Sequence, residues 1–310
     1  MLEITNLVKH YGNFCAVDHL NLTIEAGSIF GFVGPNGAGK TTTMKIVSGL
    51  LTATSGQVVM GGTDVTREPR ALREKIGYMP DFFGVYDNLK VDEYMDFYAG
   101  TYAIPYGKRG EIINNLLELV DLEDKKDVYV DVLSRGMKQR LCLARSLIHD
   151  PEILVLDEPA SGLDPRARVE MKEVLKQLKT LGKTIIISSH ILPELAEMCT
   201  TVGIINQGKL VAQGTVTEIK RSLTQKRVIH LKPLEKLNEL TALLLEKADV
   251  SNIVENTEDI AFGFAGEDDA LAALLAEIVA KGIPVVTFKE KEGNLEDIFM
   301  QLTKGDESVA

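Results

Sequence analysis

The sequence predicts an α/β domain on a largely parallel sheet, with an antiparallel β layer and a helical insert, followed by a smaller α+β domain. Three observations carry that prediction. Short apolar runs that suit buried strands recur between stretches of helical spacing: "SIFGFV" at 28–33, "ILVLD" at 153–157 and "TIIIS" at 184–188. The first run leads straight into a glycine-rich loop and a helix, the setting a phosphate-binding loop requires. After residue 228 the order becomes strand, helix, strand, strand, helix, strand, which is the ferredoxin-like arrangement.

Taken in chain order, "LEITNLVKHY", "HLNLTIEAG" and "GQVVMGG" alternate apolar and polar residues between turn residues, which reads as the antiparallel layer. "GPNGAGKTT" then fits G-x-x-x-x-G-K-[ST], directly after a strand and opening a helix expected to run to about Leu50. Gly34, Pro35, Asn36, Gly37, Ala38 and Gly39 would turn consecutive N–H groups inward as an anion nest. Lys40 would reach the β- and γ-phosphates of a nucleotide, and Thr41, followed by Thr42, would offer a hydroxyl to Mg²⁺.

From Val91 to Leu122, and again from Met137 to His149, the apolar spacing is helical, giving the insert. Before the second pattern stands "LSRGMKQR", 133–140, a serine, a glycine and several bases with no phosphate loop beside them. A serine hydroxyl and open N–H groups at a helix start make an anion site that lacks its anion.

"ILVLDEP" sets Asp157 and Glu158 at the end of a buried strand, where open α/β sheets bind ligands. Asp157 would hold the Mg²⁺ shell, and Glu158 would orient or deprotonate an attacking water. "ISSH" ends the next strand at His190, within reach of a γ-phosphate. In "SGLDP", Asp164 before Pro165 reads as a helix N-cap, a role compatible with a functional one. A hairpin follows with Gln207 and Gly208 at its turn.

The polar, basic stretch "TEIKRSLTQKR", 217–227, separates the two parts. The expected division is 1–220 for the nucleotide domain, 221–227 as linker and 228–310 for a βαββαβ accessory domain. In the latter, strands are expected at Val228–Leu231, Val250–Val254, Asp259–Phe264 and Val285–Lys289, with helices at Leu234–Glu246, Ala270–Lys281 and Leu295–Thr303.

The totals agree with two globular domains in 310 residues. Thirty-four Lys and Arg against 45 Asp and Glu leave a net charge of −11, which argues against nucleic acid as a partner. Cys15, Cys142 and Cys199 are odd in number and far apart, so they read as packing residues in a reducing compartment. The start "MLEITNLVKHYG" lacks the basic and apolar regions of a signal peptide, and no apolar run approaches the ~18 residues needed to span a bilayer. The chain is expected in the cytoplasm, and any membrane role must come through a partner.

Five motifs in order, Gly34 to Thr41, "LSRGM" at 133–137, "LVLDEP", "SGLDP" at 161–165 and His190, resemble those of the ATP-binding cassette (ABC) ATPases over about residues 1–220. A single cassette with a small C-terminal domain is similar to the ATPase subunits of ABC-2-type exporters. The resemblance implies an ATPase whose catalytic residues are Lys40, Glu158 and His190, with Tyr11 stacking on adenine and ATP and Mg²⁺ as cofactors. It implies that Ser134, Arg135 and Gly136 bind the γ-phosphate of ATP held by a second cassette, identical or not, so that two chains meet head to tail. Asp164 would be the aspartate of the intervening D-loop. A membrane permease on a separate chain would receive the work, holding the pair at the inner face of the cell membrane.

Two departures stand out. Arg135 and Met137 replace a usual glycine and glutamine, while Ser134 and Gly136 remain. In "IGYMPDFFGVYDNL", Asp81 stands where the family places a glutamine that ligates Mg²⁺ and relays nucleotide state. Aspartate still offers the metal an oxygen but adds repulsion toward the phosphates, so slowed turnover is expected. The aromatic residues that follow, Phe82, Phe83, Tyr86, Tyr94, Phe97 and Tyr98, read as a core stripe, and the resemblance implies that part of it is an exposed docking patch for the permease's coupling helix.

Three other readings compete. A soluble cassette of DNA repair, chromosome organisation or translation usually carries two cassettes, coiled-coil insertions or basic arms, which this sequence lacks. A P-loop GTPase or small-molecule kinase leaves "LSRG" and "SGLDP" unexplained, and no N-K-x-D guanine signature occurs. A degenerate regulatory subunit has only Asp81 in its favour.

Overall fold

The structure, a computed structural model, describes residues 1–68, 73–82, 84, 86, 88–223, 227–256 and 259–291. Internal contacts divide the chain into two compact units, one formed by Met1–Val216 and the other beginning at Thr217.

The first unit opens with β1 (Leu2–Tyr11), β2 (Phe14–Ile24) and β3 (Ile29–Val33), followed by helix α1 (Lys40–Val47). Next come β4 (Ser55–Met60), β5 (Thr63–Asp64) and β6 (Ile76–Met79), then α2 (Val91–Thr101), α3 (Tyr106–Leu119) and α4 (Arg135–Leu147). β7 (Ile153–Leu156), α5 (Pro165–Thr180), β8 (Thr184–Ser189), α6 (Leu192–Ala196), β9 (Thr201–Asn206) and β10 (Lys209–Gly214) complete the set, and α7 (Val216–Leu223) starts at its boundary and falls almost wholly in the second unit.

Two sheets share one core. The antiparallel layer has the order β2-β1-β4-β5, and the six-stranded sheet runs β10-β9-β3-β8-β7-β6, with only β10 antiparallel to its neighbour. All five residues of β3 and all six of β8 are buried, as expected of central strands covered on both faces. Phe30, Phe32, Met44 and Val155 meet Leu20, Ile24 and Val58 of the antiparallel layer in a single apolar cluster.

Several boundaries differ from the sequence expectation, each for a local reason. The helical stretch 91–122 is broken in two, because Ala103 takes a left-handed φ of 55° and Pro105 stands just before α3. α1 stops at Val47, where Leu50 N turns back to Lys45 O at 2.8 Å. α4 starts two residues before Met137 because Ser134 caps it. β6 was not anticipated: four residues with a glycine among them show no readable period. The expected linker 221–227 opens inside α7 and ends where the next strand begins.

In the second unit β11 (Arg227–Pro233), α8 (Leu237–Leu245), β12 (Val250–Glu255), β13 (Ile260–Phe264), α9 (Asp268–Ala280) and β14 (Val285–Lys291) follow the βαββαβ order. Their antiparallel sheet is arranged β12-β13-β11-β14, and Ile229, Leu231, Phe262 and Phe264 pack against Leu240, Leu244 and Leu274 of the helices. α8 begins three residues later than expected, after a left-handed Lys236 at φ 67°. The expected closing helix 295–303 lies outside the described residues.

Candidate functional site

Four neighbouring strands, β3, β8, β7 and β6, deliver their carboxyl ends to one edge of the sheet, the place where open parallel sheets bind ligands. Val33 pairs with Ser189, and Gly34 N donates to Ser189 O at 3.3 Å, which sets the glycine-rich loop beside His190. On the other side Asp157 N donates to Met79 O at 2.8 Å, so the acidic pair stands between His190 and the segment leading to Asp81.

The loop turns because Gly37 and Gly39 adopt φ values of 83° and 104°. Gly39 is also the N-cap of α1, and a Cβ there would run into the Ala16 carbonyl, so the position demands glycine. Having no side chain, Gly39 leaves the first N–H groups of α1 open, the anion-binding arrangement of a helix start.

Lys40 is 6% exposed. Its Nζ donates to Gly34 O at 2.6 Å and to Pro35 O at 3.3 Å, and lies 3.6 Å from Glu158 Oε1. Burial pulls the ammonium below its ordinary pKa, while the carboxylates of Glu158, Asp157 and Asp81 act in the opposite direction. Glu158 is itself in the left-handed region at φ 52°, a conformation that costs a non-glycine residue about 1–3 kcal/mol and occurs at functional turns. The turn aims its carboxylate into the cleft, where Oε2 lies 2.9 Å from His190 Nδ1.

Beneath them Asp157 is 1% exposed. Ser188, a residue the sequence reading passed over, fixes both acids: its Oγ donates to Asp157 Oδ1 at 2.6 Å and accepts from Glu158 N at 2.9 Å. The other oxygen, Oδ2 of Asp157, is buried with no hydrogen-bond partner. An ionised oxygen left so is costly without a cation, which fits an Mg²⁺ ligand.

A cleft of about 340 Å³ gathers these groups. Tyr11, the loop residues Pro35 to Thr42, Asp81, Glu158 and His190 all line it, as do Phe14, Ala16 and Ser161, which the sequence reading did not single out. Phe14 had a readable signal: it stands opposite Tyr11 across the hairpin, and the two rings are 61% and 49% exposed. Gly34 lies behind the cleft as an acceptor for Lys40.

Asp157, like Gly34, does not itself line the cleft, and four further expected residues lie away from it. Ser134 caps α4, accepting from Met137 N at 3.3 Å, and Arg135 and Gly136 follow on the same turn. Asp164 caps α5, accepting from Ala167 N at 2.9 Å with Pro165 in the first turn. The aromatic stripe divides: Tyr94 is fully buried, while Phe82, Tyr86 and Phe97 are exposed. Phe83 lies outside the described residues.

A phosphate loop, an acidic pair and a histidine at adjacent strand ends define a P-loop nucleotide-binding protein. Residues 17–161 match the family described as ABC transporter, and 214–303 match the C-terminal domain of DrrA1-3-like ATP-binding proteins. The linearmycin resistance ATP-binding protein LnrL of Bacillus subtilis is 32% identical over 98% of both chains. The bacitracin transport ATP-binding protein BcrA of Bacillus licheniformis is 35% identical over 98% of both, and the Nod factor export ATP-binding protein I of Cupriavidus metallidurans is 34% identical over 98% of this chain and 97% of that one. Among solved structures, the ATP-binding subunit of an ABC transporter superposes with a TM-score of 0.65 at 26% identity, covering 79% of this chain and all of the other. A dimeric bacterial ABC transporter cassette gives 0.64 at 25% identity, covering 70% and 99%. The chain therefore belongs to the ATP-binding proteins of ABC transporters, and it is an ATPase.

Proposed function

We propose that this chain is the motor of an ABC-2-type exporter, pairing with a second cassette and driving a permease on a separate chain from the inner face of the cell membrane. The observation that carries the mechanism is the convergence of Lys40, Glu158 and His190 in one cleft, backed by a buried Asp157 oxygen without a partner. The exporter reading is supported by relatives over nearly the whole chain whose names describe bacitracin transport and Nod factor export.

On ATP binding, the phosphates replace the Gly34 and Pro35 carbonyls as partners of Lys40, and the open N–H groups of the loop and of α1 take the remaining negative charge. Tyr11 stacks on the adenine. Released from Lys40, Glu158 orients a water in line with the γ-phosphate and accepts its proton, while His190 holds both Glu158 and the phosphate. Thr41, Asp157 and Asp81 would hold Mg²⁺, which when bound neutralises the phosphate oxygens. Ser134, Arg135 and Gly136 reach the γ-phosphate of the partner cassette's ATP. They lie outside the chain's own cleft, as that role requires.

Among the described residues no helix is long and apolar enough to cross a membrane, so coupling must pass through a contact surface. Phe82, Tyr86 and Phe97 suit it: all three are exposed, and the Tyr86 and Phe97 rings meet edge to face at 5.3 Å. A tagged chain should co-purify with a multi-spanning membrane protein from detergent extracts. Charge reversal at exposed positions within 84–96 should reduce that recovery severalfold while basal ATPase activity holds. Equal loss of both, or recovery of the wild-type chain free of any membrane protein, contradicts the proposal.

A further inference from the structure

We infer that Gln139 is a positioning residue that couples the two nucleotide sites of the head-to-tail pair, an inference that rests on the pairing proposed above. Its basis is how the first turns of α4 are held. Gln139 is 3% exposed, and its Nε2 donates to Ser161 O at 3.1 Å. Ser161 lines the nucleotide cleft, and its N–H donates to Glu158 O at 3.0 Å. One turn earlier the Arg135 guanidinium lies flat against Gly162, where a Cβ would collide with it and where φ is 67°. Between these contacts Gly136 faces Ala167 and Leu163. The start of α4 thus rides on residues 161–167.

The consequence follows from what lies at each end of that clasp. Upstream is Glu158, which in this structure engages Lys40 and His190 and must shift once a nucleotide takes Lys40. Downstream is the Ser134 to Gly136 turn, which serves the other chain's nucleotide. Movement of Glu158 passes through the Ser161 backbone to Gln139 and so to the mouth of the other site. A buried amide-to-carbonyl bond transmits such a shift because breaking it strands a desolvated carbonyl. Further along, Arg140 fixes the middle of α4 to Val120 O at 2.7 Å and to Asp121 Oδ2 at 3.0 Å, so the first turn tilts about a held point. Arg135, in place of the usual glycine, strengthens the clasp by filling the space over Gly162.

The test is the cooperativity of ATP hydrolysis by the full chain, expected with a Hill coefficient of about 2 for two coupled sites. Gln139→Met keeps the volume and removes the donor. It should cut the coupling about fivefold, the effect of one buried hydrogen bond, and bring the Hill coefficient toward 1. The ATP concentration at half-maximal rate should rise by a larger factor than kcat falls. Gln139→Leu, close in size and equally without a donor, should behave alike, so an effect common to both variants belongs to the lost bond and not to altered packing. A merely structural contact would lower Tm and kcat and leave cooperativity intact, and that result overturns the inference. If Glu158→Gln with ATP and Mg²⁺ fails to pair, the head-to-tail reading falls and the coupling with it. If it pairs while both Gln139 variants stay fully cooperative, the coupling alone falls.

Discussion

Asp81 lines the cleft at the position where the resemblance to ABC ATPases implies a glutamine, and we propose that this difference slows turnover. It is exposed at the cleft, and its charge acts on both Lys40 and Tyr78. A carboxylate there repels the phosphates that Lys40 attracts, a penalty of about 1 kcal/mol at cleft-like screening. Asp81→Gln should therefore raise kcat about threefold to tenfold and shift the magnesium dependence. An unchanged rate with unchanged magnesium dependence contradicts its place beside the metal. Lys40, Glu158 and His190, which meet at the cleft, were legible because each ends or follows a recognisable motif. Ser188 was not: a serine inside "TIIISS" reads as strand, and only the register of β7 against β8 shows it bonded to both Asp157 and Glu158. Gln139 was hidden for the same reason, since its partner lies 22 residues away.

At the level of elements, the packing of α4 and the loop before β9 onto the parallel sheet can be read through two cysteines. Cys142 is buried within α4, and Cys199 packs against Gly31 of β3. Burial pushes the Cys142 thiol up to about 11 and the Cys199 thiol up to about 12. Only the thiolate reacts, so both thiols should resist alkylation at pH 8 and react faster only as pH rises. Iodoacetamide at pH 8 should label Cys15 alone in the native chain and all three cysteines after unfolding. Rapid labelling of Cys142 or Cys199 in the native chain would mean that these elements are not seated as described. Long, strongly patterned elements were readable from spacing alone, as were the order and type of strands and helices in the second unit. What spacing missed was short or locally overridden: β6, with four residues, and the break between α2 and α3, where Ala103 and Pro105 overrule a continuous helical period.

At the scale of the whole molecule, the first unit holds a complete set of groups for binding ATP and contacting its γ-phosphate from one side. It also carries the Ser134 to Gly136 helix start, which lies outside that cleft and which we propose as a second phosphate-binding turn. In the pairing proposed above, a second cassette supplies that turn's ligand and covers the cleft, with ATP held between the two chains. The position of "LSRGM" away from the phosphate loop was already visible in the sequence, and its residues do not line the cleft. The decisive measurement is the mass in solution of Glu158→Gln protein, expected to bind ATP without turning it over, by light scattering with ATP and Mg²⁺. The account predicts a particle of twice the 34.0 kDa chain mass that reverts to one chain when ATP is removed. A particle that stays at the mass of a single chain at saturating ATP, alone and with its membrane partner, contradicts it.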